Sequence, residues 1–139
     1  MTCIVGIVQN NEVWLGGDRA MTHSGLQQDL IKEPKIFVKN HIGFGVCGLP
    51  KVMDIIKYVV ELPDNVEGIV GKTFLVSKVV PAIRDCLKQH DSTITFDDGQ
   101  IGFNGSILVG YDGHLYTMEC NFQLTESERN FMAIGSGAE

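Results

Sequence analysis

Residues 2–19 read TCIVGIVQNNEVWLGGDR. Cys3 to Val8 is a nearly continuous apolar run, Asn10-Asn11 marks a turn, and Val13 to Gly17 is a second apolar run. This stretch predicts a β-hairpin at the very start of the chain, with Asp18 closing its second strand.

Working outward, Thr22 to Glu33 is mixed and polar and predicts a loop. Lys35 to Lys39 and Ile42 to Cys47 predict a second hairpin about Asn40-His41. The period then changes. Val52, Ile55, Ile56, Val59 and Val60 recur at helical spacing and stop before Pro63. A second helix is predicted from about Lys72 to His90, with Leu75, Val79, Ile83 and Leu87 on one face and a kink expected at Pro81. Strands return at Ser106 to Tyr111, and Asp112-Gly113 is a type I′ turn signal answered by Leu115 to Glu119. Phe131 to Ile134 is a last short strand running into Gly135-Ser136-Gly137. Four strands, two helices and at least three further strands, in segregated blocks, predict an α+β layered fold with antiparallel sheets.

Composition narrows the function classes. At 139 residues the chain has room for one domain with a real core, and its 44% hydrophobic and 20% charged content is ordinary for a globular protein. The longest apolar stretch, Val52 to Val60, is interrupted by Asp54 and Lys57, so no membrane span is expected. Met1 leads directly into a strand without a basic leader, which predicts a cytoplasmic protein. The net charge is -6, and Lys and Arg are scattered singly, which argues against nucleic acid as a partner. Cys3, Cys47, Cys86 and Cys120 form no CxxC pair, and His23, His41, His90 and His114 show no metal spacing. Neither a metal nor a cofactor is expected. Asp97-Asp98-Gly99 lacks the rest of a calcium-loop pattern and reads as a turn.

The first residues also carry chemistry. Removal of Met1, favoured by the small residue after it, would leave Thr2 at the terminus with hydroxyl and free α-amine in one residue. An α-amine has an ordinary pKa of about 7.7–8.0, close enough to neutrality to accept the hydroxyl proton. Threonine activated by its own amine is a known nucleophile. Such a site needs a nearby cation, a carboxylate to orient it, and N–H groups aimed at a developing oxyanion. Lys35 and Asp18 are the candidates for the first two. A lysine pointing into a layered interior would need a partner, and Asp18 is the natural one.

Thr2-Cys3-Ile4-Val5-Gly6, followed by Gly16-Gly17-Asp18-Arg19, resembles the start of a proteasome β-type subunit or of its simpler bacterial relative, the HslV peptidase. Asp18 lies sixteen residues after Thr2, as that family's aspartate does after its terminal threonine. Lys35-Ile36 resembles the family's catalytic lysine, displaced by one residue. Gly48 matches the glycine whose N–H forms the oxyanion hole. Thr22 matches a position whose backbone binds extended substrate, and Met21 and Val46 match positions lining the specificity pocket. Phe131 to Gly137 resembles the segment carrying a supporting serine, here Ser136, which could equally serve as a helix N-cap. The resemblance runs in order along the whole chain. It implies the four-layer α-β-β-α sandwich of N-terminal nucleophile hydrolases, threonine peptidase activity on peptides or unfolded proteins, a homo-oligomeric ring, and an ATP-dependent unfoldase as partner.

The family continues beyond the glycine-serine-glycine segment into another helix and further strands, whereas this sequence stops at Glu139. Residues 1–139 are therefore expected to be a single proteasome-like domain lacking its last helix and strands. Two other readings compete. One is an N-terminal nucleophile amidohydrolase or glutaminase using Cys3, a better intrinsic nucleophile that would need Thr2 removed as well. The other is an inactive, ring-forming paralogue.

Overall fold

The computed structural model describes residues 2–18, 20–23, 27–30 and 34–135. The opening hairpin forms as β1 (Ile4–Gln9) and β2 (Glu12–Gly17), paired from Ile4↔Gly17 to Gln9↔Glu12. Asn10 and Asn11 take φ of 54° and 62°, the left-handed pair of a type I′ turn that asparagine tolerates well. Beyond β2 come β3 (Ala20–His23) and β4 (Gln27–Leu30), antiparallel to each other. The predicted loop at Thr22 to Glu33 thus contains β4 and the end of β3. Its polar sequence lacks the alternation that marks a half-buried strand, because β3 and β4 join neither of the larger sheets.

The second hairpin is β5 (Ile36–Lys39) and β6 (Ile42–Gly48), turning at Asn40 and His41 with φ of 52° and 64°. The first helix, α1 (Pro50–Tyr58), starts with proline at a position where its missing N–H is harmless. Lys39 Nζ donates to the carbonyls of Ile56, Lys57 and Val60 and so satisfies the open end of this helix. The second predicted helix runs as α2 (Gly71–Phe74), a π turn (Leu75–Val79) and α3 (Val80–Gln89). Pro81 has no N–H to give to the preceding turn, and the widened π spacing directly upstream takes up the mismatch.

Short strands β7 (Ile94–Thr95) and β8 (Ile101–Gly102) follow, with Asp97-Asp98-Gly99 between them as predicted for a turn. Next come β9 (Gly105–Tyr111), β10 (His114–Met118), β11 (Leu124–Glu126) and β12 (Phe131–Ile134).

Two antiparallel sheets result, one ordered β12-β1-β2 and the other β11-β10-β9-β6-β5. They face each other over Ile4, Leu108 and Ile134, with Leu15, Ile36, Cys47 and Met132 packed around them. The opposite face of the five-stranded sheet carries the helices and the larger core, including Phe44, Val46, Ile56, Leu75, Ile83 and Phe103. The described residues thus supply a helical layer and two sheets of an α+β sandwich. No described helix is long and apolar enough to cross a membrane.

Candidate active site

At one end of the sandwich the start of β1, the end of β2, the entry to β5 and the end of β6 converge. Hairpin geometry brings the first pair together, since Ile4 lies opposite Gly17. The second pair is joined by the Val46 N–H, which donates to the Lys35 carbonyl at 3.0 Å.

Lys35 sits in a bend just before β5 and is only 7% exposed. Its Nζ donates to Thr2 Oγ1 at 3.0 Å and to Asp18 Oδ1 at 2.6 Å. The second oxygen of Asp18 accepts the Cys3 N–H at 2.5 Å. One carboxylate therefore holds both the lysine and the backbone immediately after Thr2, fixing the ammonium against the hydroxyl. An ammonium there favours the ionised form of the hydroxyl by electrostatics, and the carboxylate offsets the desolvation of the lysine.

Gly48 ends β6 with φ of +124°, and a Cβ there would run into the Asn104 carbonyl. Only glycine fits this turn without strain, and Gly48 is exposed, so its backbone is open to an incoming group. Gly135, after β12, lies against the Thr2 carbonyl. Ser136 is outside the described residues.

Of the substrate-binding candidates, Val46 is 3% exposed and belongs to the helix-facing core. Met21 and Thr22 lie on β3, opposite Asp29 and Gln28. The structure thus brings Lys35 into contact with both Thr2 and Asp18 and places Gly48 at the end of the strand beside Lys35.

Cys47 is the residue that the sequence reading passed over. Adjacent strand residues face opposite ways, so with Val46 in the helix-facing core, Cys47 turns to the sheet interface beside the site. Burial pushes its thiol pKa up, opposed by a hydrogen bond with Ser106 and by the Lys35 charge. Period-two arithmetic from Val46 could have found it. No cluster of described residues has the makeup of a metal site.

No family model and no curated protein matches the sequence. Solved structures do. BPH of Thiobacillus denitrificans, also solved in complex with epoxomicin, is similar with a TM-score of 0.74 at 14% identity, over 98% of this chain and 73% of that one. HslV of Trypanosoma brucei is similar with a TM-score of 0.60 at 15% identity, over 98% of this chain and 72% of that one. Anbu of Yersinia bercovieri, described as an ancestral beta-subunit, gives 0.61 at 9% identity, over 98% of this chain and 61% of that one. At such identities the likeness is one of fold, the α+β sandwich of antiparallel sheets and helices that this chain shares with BPH, HslV and Anbu.

Proposed function

We propose that this chain is the threonine-type endopeptidase subunit of a homo-oligomeric, proteasome-like assembly in the cytoplasm. The observation that carries this reading is Lys35 Nζ lying in hydrogen-bond contact with both Thr2 Oγ1 and Asp18 Oδ1. After loss of Met1, Thr2 Oγ1 attacks a peptide carbonyl carbon and its proton passes to the α-amine, directly or through one water. The Gly48 N–H stabilises the tetrahedral oxyanion. The amine then protonates the leaving nitrogen, and water hydrolyses the ester to regenerate Thr2.

In this mechanism Lys35 and Asp18 set the electrostatics, and Ser136 supports the terminus. An extended substrate pairs with backbone at Thr22, and Met21 shapes the pocket for its side chain, whereas Val46 is turned into the helix-facing core. An ATP-dependent unfoldase would deliver the unfolded chain. The direction of Lys35 toward Thr2 Oγ1 favours threonine over Cys3 as nucleophile. The fold shared with BPH, HslV and Anbu supports both the hydrolase class and the assembly.

The test is the terminus followed by epoxomicin, the compound present in one BPH structure. An epoxyketone needs a free amine beside the hydroxyl. Intact mass should show loss of Met1, and epoxomicin should then add one adduct mapping to Thr2 and absent from Thr2→Ala. A chain retaining Met1 would sink the peptidase reading. A processed, assembled chain that takes no adduct would identify an inactive paralogue.

A further inference from the structure

At the other end of the sandwich from Thr2, three hairpin turns meet, Asn10-Asn11, Asn40-His41 and Asp112-Gly113. A Cβ on Gly113 would lie 2.7 Å from the Asn11 carbonyl oxygen. Beside them a groove of about 590 Å³ runs between the edge of one sheet and the edge of the other. Trp14 and Leu15 of β2 form one wall, Phe37 and Val38 of β5 the other, and Glu12 and Asp112 stand at the rim. We propose that this groove takes an extended, basic segment of a partner protein, added as a strand to the open edges of the two sheets.

Three independent observations support this. First, both walls are sheet edges. Among the described residues β2 pairs only with β1 and β5 only with β6, so each offers a row of backbone donors and acceptors to an incoming strand. Second, the edges are unguarded. Exposed edges are commonly blunted by a lysine, but the one lysine on these two strands, Lys39, is drawn away to the carbonyls at the end of α1. Apart from Glu12 at the start of β2, what remains in water on these strands is apolar, with Trp14 61% and Val38 77% exposed. Third, the rim is acidic. Glu12 and Asp112 have no hydrogen-bond or ion-pair partner among the described residues, and the chain carries a net charge of -6. Apolar walls suit alternate side chains of a strand, and two carboxylates without partners suit the lysines or arginines between them.

Trp14 is the only tryptophan, so its emission reports this groove. The probe is a blocked synthetic pentapeptide alternating valine and arginine, titrated into the Thr2→Ala chain. That background prevents cleavage and makes the outcome independent of the peptidase reading. A saturable change in Trp14 emission is expected. Replacing the arginines by glutamate should weaken it about tenfold or more. N-methylating alternate amides, which removes strand donors, should do the same, since every lost backbone bond leaves a polar group without a partner, about tenfold in all. Glu12→Gln with Asp112→Asn should weaken the arginine peptide about fivefold. Asparagine tolerates the left-handed turn at position 112, and an unchanged melting temperature verifies the fold.

Equal binding by the glutamate or N-methyl peptide would overturn the proposal, as would no saturable change. So would shielding of Trp14 from acrylamide that rises with protein concentration and persists in Ile7→Lys, which would assign the groove itself to a contact between copies.

Discussion

Asp18 is the residue on which the candidate site turns, because its two oxygens serve two different parts of the chain. Asp18→Asn keeps the shape but removes the charge facing a lysine that is 7% exposed. With the Asp18 side chain about one-third exposed, the full cost of a broken buried pair does not apply, and a loss of about 1–3 kcal/mol is expected by urea denaturation. Peptidase activity should fall further than stability explains, by about 10²–10³-fold in kcat/KM at temperatures where the variant is folded. A variant that lost stability alone would show the pair to be structural.

Cys47 gives a pH prediction. Its pKa is raised above the ordinary 9.0, chiefly by burial. Between the unfolded and folded values the native thiol keeps its proton while the unfolded one has lost it. Its contribution to stability is therefore complete below pH 9 and declines as pH rises through the folded value. Denaturation of the parent and Cys47→Ala at pH 8 and pH 10 should show the difference between them shrinking at the higher pH. Iodoacetamide should reach the exposed Cys120 before Cys47 at pH 8.

At the scale of elements, the close approach of β1 and β6 decides how the site is held. A Cβ on Gly45 would lie 2.5 Å from Ile4 Cγ2, where Ile4 is fully buried between the sheets. Gly45→Ala must push the sheets apart or shift β1, at a cost of about 1–3 kcal/mol measured as a lowered melting temperature. Ile4 is two residues from Thr2, so the shift should also lengthen the Lys35–Thr2 contact and reduce epoxomicin labelling. Much of this level is legible in the chain. The three type I′ turns announced themselves as Asn-Asn, Asn-His and Asp-Gly, and the helical periods at Val52–Val60 and Leu75–Leu87 appear as α1 and the segment from α2 to α3. The β3–β4 pair was illegible because the two strands pair only with each other and join neither of the larger sheets. The π turn was visible only as a proline in a helical stretch, since its form depends on how the helix packs.

At the scale of the molecule, the outer face of the three-stranded sheet stands out. Register aligns Trp14, Ile7 and Phe131 in one row across β2, β1 and β12, at 61%, 49% and 55% exposure, with Val5 at 41% beside them. A contiguous apolar face of this kind drives association in water. Sedimentation of the 139-residue chain should show a mass that rises with concentration, and Ile7→Lys should suppress the rise. Because Ile7 is already half exposed, the same change should alter monomer stability by no more than about 0.5 kcal/mol. A concentration-independent monomer in both cases would refute the expectation.

By itself the sequence determined the alternation, the turns and the helical periods, because these depend on local sterics and on which side chains shun water. It also supplied the order and spacing of Thr2, Asp18, Lys35 and Gly48, on which the resemblance to proteasome-type subunits rests. Only the tertiary structure decided that Asp18 grips Lys35 and the Cys3 N–H at once, that Val46 turns to the core while Cys47 faces the site, and that two sheet edges meet in a groove. These depend on distances between segments far apart in the chain, which packing sets and no local pattern records.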